Sequence, residues 1–229
     1  MKTIASVCSV AILCGATLIA QAPAGSVTMN NEAHHERLTY LRHMRVFEAN
    51  VPPGMATADH LHDHDVTSIV LGDASTRSRR VGEEWSAPRT RTGGTAETTT
   101  YTGSPVTHRT ENVGTAPLRL FGVENLRDSG WTSPAPLTAP GTMLRQEDRS
   151  FAVYDVRLNA ATPRTNHTHQ NPSFVFLMTG AVQVQGGGGE SEFRLEQKGR
   201  WFPSSGPDQP HTLSLVGTSD AHVICVEAR

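Results

Sequence analysis

The chain has 229 residues and a formal net charge of −2, from 20 Lys and Arg against 22 Asp and Glu. Nucleic-acid-binding proteins usually carry an excess of basic residues, so this near balance excludes that class. A hydrophobic fraction of 37% with only 18% charged residues excludes wholesale disorder. The unusual feature is the set of 11 histidines, because five of them lie in two short stretches, residues 60–64 and 167–169. Histidine is the commonest metal ligand in proteins, so this distribution indicates metal binding.

The first 24 residues have the three parts of a secretory signal peptide. Lys2 gives a charged start, an apolar run extends from Ile4 to Ala20, and Ala22-Pro23-Ala24 is a small-residue cleavage site. The run is short for a membrane span of about 20 residues. We therefore predict that residues 1–24 are a cleaved signal, that the protein is secreted or periplasmic, and that no membrane attachment remains after cleavage.

Cleavage of the signal would leave Cys225 as the only cysteine of the mature chain. A secreted chain with one cysteine has no internal disulfide framework, so its stability must come from a packed core. Cys225 stands in an apolar final segment, Val223–Val226, and we interpret it as an inert buried thiol.

The remaining chain reads as strands. Residues 25–39 are polar without periodicity and predict a loose N-terminal arm. The segments that follow are short, β-branched or aromatic, and bounded by turn residues, for example Thr67–Leu71 and Phe174–Met178. No run of a dozen residues carries the i, i+3, i+4 stripe of an amphipathic helix. The predicted fold class is all-β.

The chain also repeats itself. In the first copy, Val46-Phe47-Glu48 precedes His60-Leu61-His62. In the second copy, Val153-Tyr154-Asp155 precedes His167-Thr168-His169 by the same number of residues. The offset is 107 positions at the front of the repeat (60 to 167) and 103 at the back (108 to 211), so the first copy is longer in its middle. The repeat predicts two β units, at residues 40–128 and 150–229, joined by a Pro- and Gly-rich linker over residues 129–149.

The two histidine patterns resemble the motifs of the cupin superfamily. The first cupin motif is Gly, five residues, His-x-His, three or four residues, Glu, six residues, Gly. Gly54, His60-Leu61-His62 and Gly72 fit it, with Asp65 in place of Glu after a gap one residue short, whereas the second copy has Ser173 at that place. The resemblance covers both halves of the mature chain. It implies two tandem cupin-type jelly-roll β-barrels, an arrangement called a bicupin.

The first barrel is expected to hold a metal ion. Residues i and i+2 of a strand share a face, so His60 and His62 direct two imidazoles at one place. The resemblance adds His108 from a distant strand and implies a divalent ion (Fe, Mn, Zn, Ni or Cu) with open positions for water or substrate. The fourth ligand is either Asp65, which the family spacing favours, or His64, which strict strand alternation would place beside His60 and His62.

The corresponding ligands in the second barrel are His167, His169 and His211, without an acidic residue. Two interpretations stay open. Three-histidine sites occur in thiol and diketone dioxygenases of the cupin superfamily, so the second barrel can hold a metal; alternatively, it has lost its metal and is structural. A cluster of five arginines in the longer middle of the first copy (Arg77, Arg79, Arg80, Arg89 and Arg91) is interpreted as solvated surface rather than an anion clamp.

These expectations give two functional hypotheses. The first is a secreted metal-dependent enzyme acting on a small molecule, of oxygenase, isomerase or lyase type, with the better site in the first barrel. The alternative is a non-catalytic cupin module that binds a metal or a small ligand. In both, the partner is a small molecule rather than a nucleic acid or a membrane, and the chain is expected to be a monomer or a weak homodimer.

Overall fold

A computed structural model describes residues 23–127, 135–186, 192–204, 206 and 210–229. The predicted signal peptide, apart from its last two residues, and residues 128–134 of the connection between the units lie outside this range. Among the described residues, no helix has the length and apolarity needed to cross a membrane.

The described part of the chain contains strands and a single short 3-10 turn, Met29–Asn31. The strands of the first unit are β1 Val27–Thr28, β2 His35–Leu41, β3 Met44–Val51, β4 His60–His62, β5 Asp65–Val70, β6 Ala74–Arg80, β7 Arg89–Arg91, β8 Ala96–Thr99, β9 Val106–Asn112 and β10 Leu118–Asn125. Those of the second unit are β11 Thr142–Glu147, β12 Phe151–Leu158, β13 Arg164–His167, β14 Ser173–Thr179, β15 Val182–Gln185, β16 Glu192–Leu195, β17 Trp201–Ser204, β18 His211–Leu215 and β19 Ala221–Ala228.

Each unit is a sandwich of two sheets, and the strand orders of the two units correspond. One sheet runs β2-β3-β10-β5-β8 in the first unit and β11-β12-β19-β14-β17 in the second; we call these the interface sheets. The other runs β1-β4-β9-β6-β7 and β13-β18-β15-β16; we call these the histidine sheets. Only β1 has no counterpart in the second unit among the described strands. The all-β class and the duplication predicted from the sequence are therefore confirmed.

The two segments predicted to be irregular, residues 25–39 and 129–149, contain three edge strands. β1 pairs in parallel with β4, placing Val27 opposite His60, and β2 pairs with β3 at the edge of its sheet. The prediction of a loose arm over residues 25–39 is thus wrong for these strands, and so is the linker prediction over β11, which pairs with β12. Edge strands keep one side in water and tolerate polar residues, so their composition resembled that of a loop.

The core has three parts that follow from strand alternation. Leu118 and Leu120 of β10 point into the first unit, where they join Phe47, whereas Phe121 and Val123 point the other way. Phe121 meets Phe176 of the second unit with 5.0 Å between ring centroids. A single buried apolar cluster therefore joins the two interface sheets, and each unit keeps a separate interior cluster of its own.

Candidate metal centres

Strand register brings three histidines together in each unit. His60 of β4 stands directly opposite His108 of β9, and His167 of β13 stands opposite His211 of β18. In the first unit His62 completes a triad whose ring centroids lie 4.7 to 5.0 Å apart. Each of the three offers a nitrogen within 4.8 Å of the other two. We call His60, His62 and His108 the first triad.

The first triad fits a metal ion. Nδ1 of His60 donates to the carbonyl oxygen of Ala58 at 2.9 Å, which leaves the lone pair on Nε2. This Nε2 lies 3.0 Å from Nε2 of His62. Two imidazole nitrogens bound at about 2.1 Å and at right angles to one ion would be about 3.0 Å apart. The spacing is therefore that of two neighbouring ligands of one cation.

The imidazoles of the first triad are neutral at pH 7. Burial lowers the pKa of His60, and burial followed by repulsion from the other histidines lowers the pKa of His62 well below its usual range. Burial, then His60, Arg91 and Arg80, lower the pKa of His108 to about 3. Metal binding requires neutral imidazole, so no proton has to be removed from the triad before a metal can bind.

The first triad lies in a cavity of about 410 Å³. One part of its wall is apolar, formed by Phe47, Ala49, Val51, Val66, Leu118 and Leu120. Another part is polar and includes Ser78, Thr110 and Tyr101, whose ring stacks on His62 with centroids 4.7 Å apart. An apolar cavity with a few convergent polar groups is the usual form of a small-molecule site.

A fourth histidine, which the sequence analysis missed, also lines this cavity. His35 of β2 lies 4.8 Å from His60 between ring centroids, and its buried Nδ1 has no partner among the described residues. Burial, with a further contribution from His60, lowers the pKa of His35 to about 3. β2 and β3 form a hairpin whose turn, Arg42-His43, lacks the glycine or asparagine that marks such turns, so β2 was not recognised.

Neither proposed fourth ligand lies with the first triad. Val66 and Ser68 of β5 face the cavity, so Asp65 faces the second unit instead. Its Oδ1 accepts from the backbone N–H groups of Tyr101 and Thr102, both at 2.7 Å. Nδ1 of His64 instead lies 2.7 Å from Oδ1 of Asp63. The expectation of an Asp65 ligand is therefore not met, and in the described part of the chain neither triad includes a carboxylate.

The second triad, His167, His169 and His211, is also assembled but is fully buried. Two of its members already have protein partners at their ring nitrogens. Nε2 of His167 lies 2.8 Å from the Thr142 hydroxyl, and Nδ1 of His169 lies 3.1 Å from the Glu227 carboxylate. Burial opposes charge on His169, but Cys225 and Glu227 outweigh it and raise its pKa to about 10. A metal ion bound by this triad would compete with these partners for the ring nitrogens.

Cys225 is buried, as predicted, but its surroundings are not inert. Its Sγ lies 3.5 Å from Nε2 of His169. The strand register pairs Cys225 with Tyr154, as it pairs Gly122 with Phe47 in the first unit. The contacts of Glu227 and Cys225 with His169 could not be predicted from the sequence, because they depend on the closure of the second unit.

The interiors of the two units differ at equivalent positions. In the first unit Ser78 stands opposite Thr110, their hydroxyls 2.9 Å apart, and both line the cavity. In the second unit the equivalent pair is Val184 and Leu213, both fully buried in the interior apolar cluster. A polar pair beside the first triad thus corresponds to an apolar, packed pair beside the second.

Four members of the arginine cluster form two groups, and the fifth, Arg80, is exposed. Arg77 and Arg79 place their guanidinium groups over the Trp85 ring, at 4.9 and 5.3 Å from its centroid, on the outside of the first unit. Arg89 and Arg91 line the cavity instead. The interpretation of the whole cluster as solvated surface is therefore wrong for Arg91, whose side chain is only 15% exposed.

No protein-family model matches the chain, and no curated protein sequence matches it. Solved structures do match. A cupin 2 conserved barrel domain protein from Leptotrichia buccalis is 9% identical, with a TM-score of 0.54, covering 85% of this chain and 88% of that chain. Salicylate 1,2-dioxygenase from Pseudoaminobacter salicylatoxidans, in complex with gentisate, is 13% identical, with a TM-score of 0.63 and coverages of 85% and 73%. AerE from Microcystis aeruginosa is 12% identical, with a TM-score of 0.58 and coverages of 86% and 98%. The chain therefore has the fold of the cupin superfamily, with two cupin-type units in tandem.

Proposed function

We propose that this chain is a metal-dependent enzyme that acts on a small molecule in the cavity of the first unit. The observation that supports this most is that one cavity of about 410 Å³ contains all three histidines of the first triad. Three protein ligands leave coordination positions open, which is the arrangement of catalytic rather than structural metal sites. A substrate in the cavity would reach those positions.

The residues around the first triad have separate tasks in this proposal. His60, His62 and His108 hold the ion through neutral imidazoles, and the Ala58 carbonyl fixes the tautomer of His60. Tyr101 stacks on His62 and restrains its ring. A bound divalent ion would supply Lewis acidity toward water or substrate, since none of the described carboxylates belongs to the first triad to act as a general base.

We place the activity in the first unit because its triad has fewer competing contacts. His167 and His169 of the second triad have hydroxyl, carboxylate and thiol partners, and Val184 and Leu213 fill the space beside them. The second unit then serves mainly as a structural partner for the first through the shared apolar cluster.

Of the oxygenase, isomerase and lyase classes, we favour an oxygenase. The support is the likeness to salicylate 1,2-dioxygenase, which extends over 85% of this chain. An identity of 13% indicates a shared fold but not a shared reaction. The reaction class and the choice among Fe, Mn, Zn, Ni and Cu are therefore part of the proposal. The competing function is a module that binds a metal or small ligand without catalysis.

Metal analysis of protein purified without a histidine tag tests the proposal. We expect wild type to retain a divalent metal that the His60→Ala, His62→Ala double variant loses, while His167→Ala retains it. If wild type and the double variant are both metal-free after reconstitution, the proposal fails. Cobalt(II)-loaded protein then separates the two functions: added azide should change its visible spectrum if a position is exchangeable, and an unchanged spectrum would favour the binding module.

We also propose that the protein is exported and that residues 1–24 are removed. The support is the tripartite N-terminal sequence alone. Intact mass of protein recovered from the periplasm or medium should correspond to a chain that begins near Gly25. Retention of the full-length mass in the cytoplasm would contradict export, and light scattering on the same sample would report whether the chain is a monomer or a weak homodimer.

A further inference from the structure

The longer middle of the first copy builds one wall of the cavity. Strands β7 and β8 and the residues around them contribute Ser86, Arg89, Arg91, Glu97, Thr99 and Tyr101 to the lining. In the second unit the strand equivalent to β7 is β16, where Phe193 packs on Phe202 with centroids 5.7 Å apart. Phe202 in turn lies 5.6 Å from the His211 ring. Among the described residues, this wall is therefore charged in the first unit and aromatic in the second.

Arg91 is the less exposed of the two arginines on this wall, with 15% of its side chain exposed against 51% for Arg89. Its Nη1 donates to Oε2 of Glu97 at 3.0 Å, while its buried Nε has no partner among the described residues. Glu97 is 52% exposed and also accepts from Arg89 at 3.3 Å, so its single charge is divided between two guanidinium groups. The positive charge at this wall is thus incompletely balanced.

The charge of Arg91 lies in the cavity that contains the first triad, because Arg91, His60, His62 and His108 all line it. Burial followed by repulsion from Arg89 lowers the pKa of Arg91 itself, as expected for crowded cations with too few anionic partners. An anion entering the cavity would relieve this repulsion.

Building on the proposed function, we propose that the substrate is a small carboxylic acid with an apolar body, and that Arg91 binds its carboxylate beside the first triad. A planar guanidinium matches a carboxylate in geometry and charge. The apolar lining, which includes Phe47, Val51 and Leu118, receives the body of the molecule. Because this wall offers one largely buried guanidinium and a counter-charge that is already shared, we assign a monoanionic carboxylate rather than a phosphate dianion.

Calorimetric titration with benzoate and benzamide tests the assignment, since the two probes share a shape and differ in charge. We expect wild type to bind benzoate at least ten times more tightly than benzamide. Arg91→Gln should weaken benzoate binding at least tenfold, which is about 1.4 kcal/mol, and leave benzamide binding unchanged. Arg91→Lys keeps the positive charge but loses the planar guanidinium, so its benzoate affinity should lie between those of wild type and Arg91→Gln. Arg119→Gln is the matched control, because Arg119 pairs with Glu48 outside the cavity.

Three results would overturn the assignment: no benzoate binding at millimolar concentration, equal affinity for benzoate and benzamide, or unchanged benzoate affinity in a folded Arg91→Gln variant. Tighter binding of phenyl phosphate than of benzoate would overturn the choice of a carboxylate. If circular dichroism shows that Arg91→Gln does not fold, the assignment is tested by the benzoate affinity of Arg91→Lys and by the ratio of benzoate to benzamide affinity in wild type. The metal content of the same samples distinguishes failure of this inference from failure of the proposed function. Protein that contains metal but does not bind benzoate contradicts only this inference. Protein that contains no metal contradicts the proposed function.

Discussion

Asp65 of the first unit accepts a hydrogen bond from the hydroxyl of Ser150 in the second unit. The same carboxylate oxygen accepts from Arg149 at 3.2 Å, and the other oxygen accepts two backbone N–H groups of its own unit. The residue that the family spacing favoured as a metal ligand is therefore a buried polar connection between the two units. Its side chain is 1% exposed, and its four hydrogen-bond partners among the described residues are all donors.

We predict that Asp65→Asn weakens the fold without removing the metal. The amide would turn an NH₂ group toward N–H donors, and an unsatisfied buried polar group costs about 1–3 kcal/mol. Urea unfolding should show that loss, whereas the metal content of the folded variant should equal that of wild type. A folded Asp65→Asn protein that cannot retain metal would restore Asp65 as a ligand.

A second polar connection between the two units is expected to lower the stability of the fold at acid pH. Asp155 accepts two hydrogen bonds from Arg145, at 2.7 and 2.8 Å, and Arg145 also donates to the Gly94 carbonyl oxygen of the first unit at 3.2 Å. Burial opposes ionisation of Asp155, but Arg145 and His222 outweigh it, so the pKa of Asp155 falls below its usual value of 3.8.

The sign of the pH effect follows from this shift. A carboxyl group with a lowered pKa in the folded state stabilises the fold above its unfolded pKa, and this stabilisation is lost as pH falls through the folded value. Asp155→Asn should therefore be less stable than wild type at pH 7 by about 1–3 kcal/mol, and the difference should shrink below about pH 4. Urea unfolding across pH measures it, with exposed Asp220→Asn as control. A difference that does not vary with pH would contradict the assignment.

Strand alternation explains what the sequence could predict and what it could not. The spacing of His60 and His62 requires only that two residues share one face, and the repeat located His108 and His211 without knowledge of register. The face of β5 on which Asp65 lies depends on where strand alternation restarts after a turn, and the spacing of the motif does not determine this. His35 and Arg91 reach the cavity through an edge hairpin and an inserted wall, and their burial is created by pairing with distant strands.

The two units also differ at Gly122, where the second unit has Cys225. A Cβ added at Gly122 would lie 1.9 Å from Cζ of the Phe47 ring. We predict that Gly122→Ala destabilises the protein by about 1–3 kcal/mol because a packed core has no room for the displaced ring. Gly72→Ala is the control, since nothing lies within 4 Å of its added Cβ.

Thermal unfolding of both variants measures the Gly122 effect. Adding Phe47→Leu to Gly122→Ala should recover part of the lost stability, because the smaller side chain removes the overlap. If Gly122→Ala is as stable as Gly72→Ala, the close packing of Phe47 over β10 is not the reason for a glycine at this position.

The last prediction exchanges the interiors of the two units. Ser78→Val with Thr110→Leu places the apolar pair of the second unit in the first, where the two hydroxyls now line the cavity. The added side chains should fill space beside the first triad, so benzoate binding should fall at least tenfold while metal content is unchanged. Stability should not decrease, because both hydroxyls are replaced together and no buried donor loses its partner.

The reverse exchange is the matched control for that double variant. Val184→Ser with Leu213→Thr puts two hydroxyls and a smaller volume into a packed interior, at a cost of about 3 kcal/mol or more. Its benzoate affinity should nevertheless equal that of wild type, since the first cavity is untouched. Calorimetry and urea unfolding on the pair separate the two roles. Retained benzoate binding after Ser78→Val with Thr110→Leu, or its loss after the reverse exchange, would contradict the placement of the ligand in the first unit.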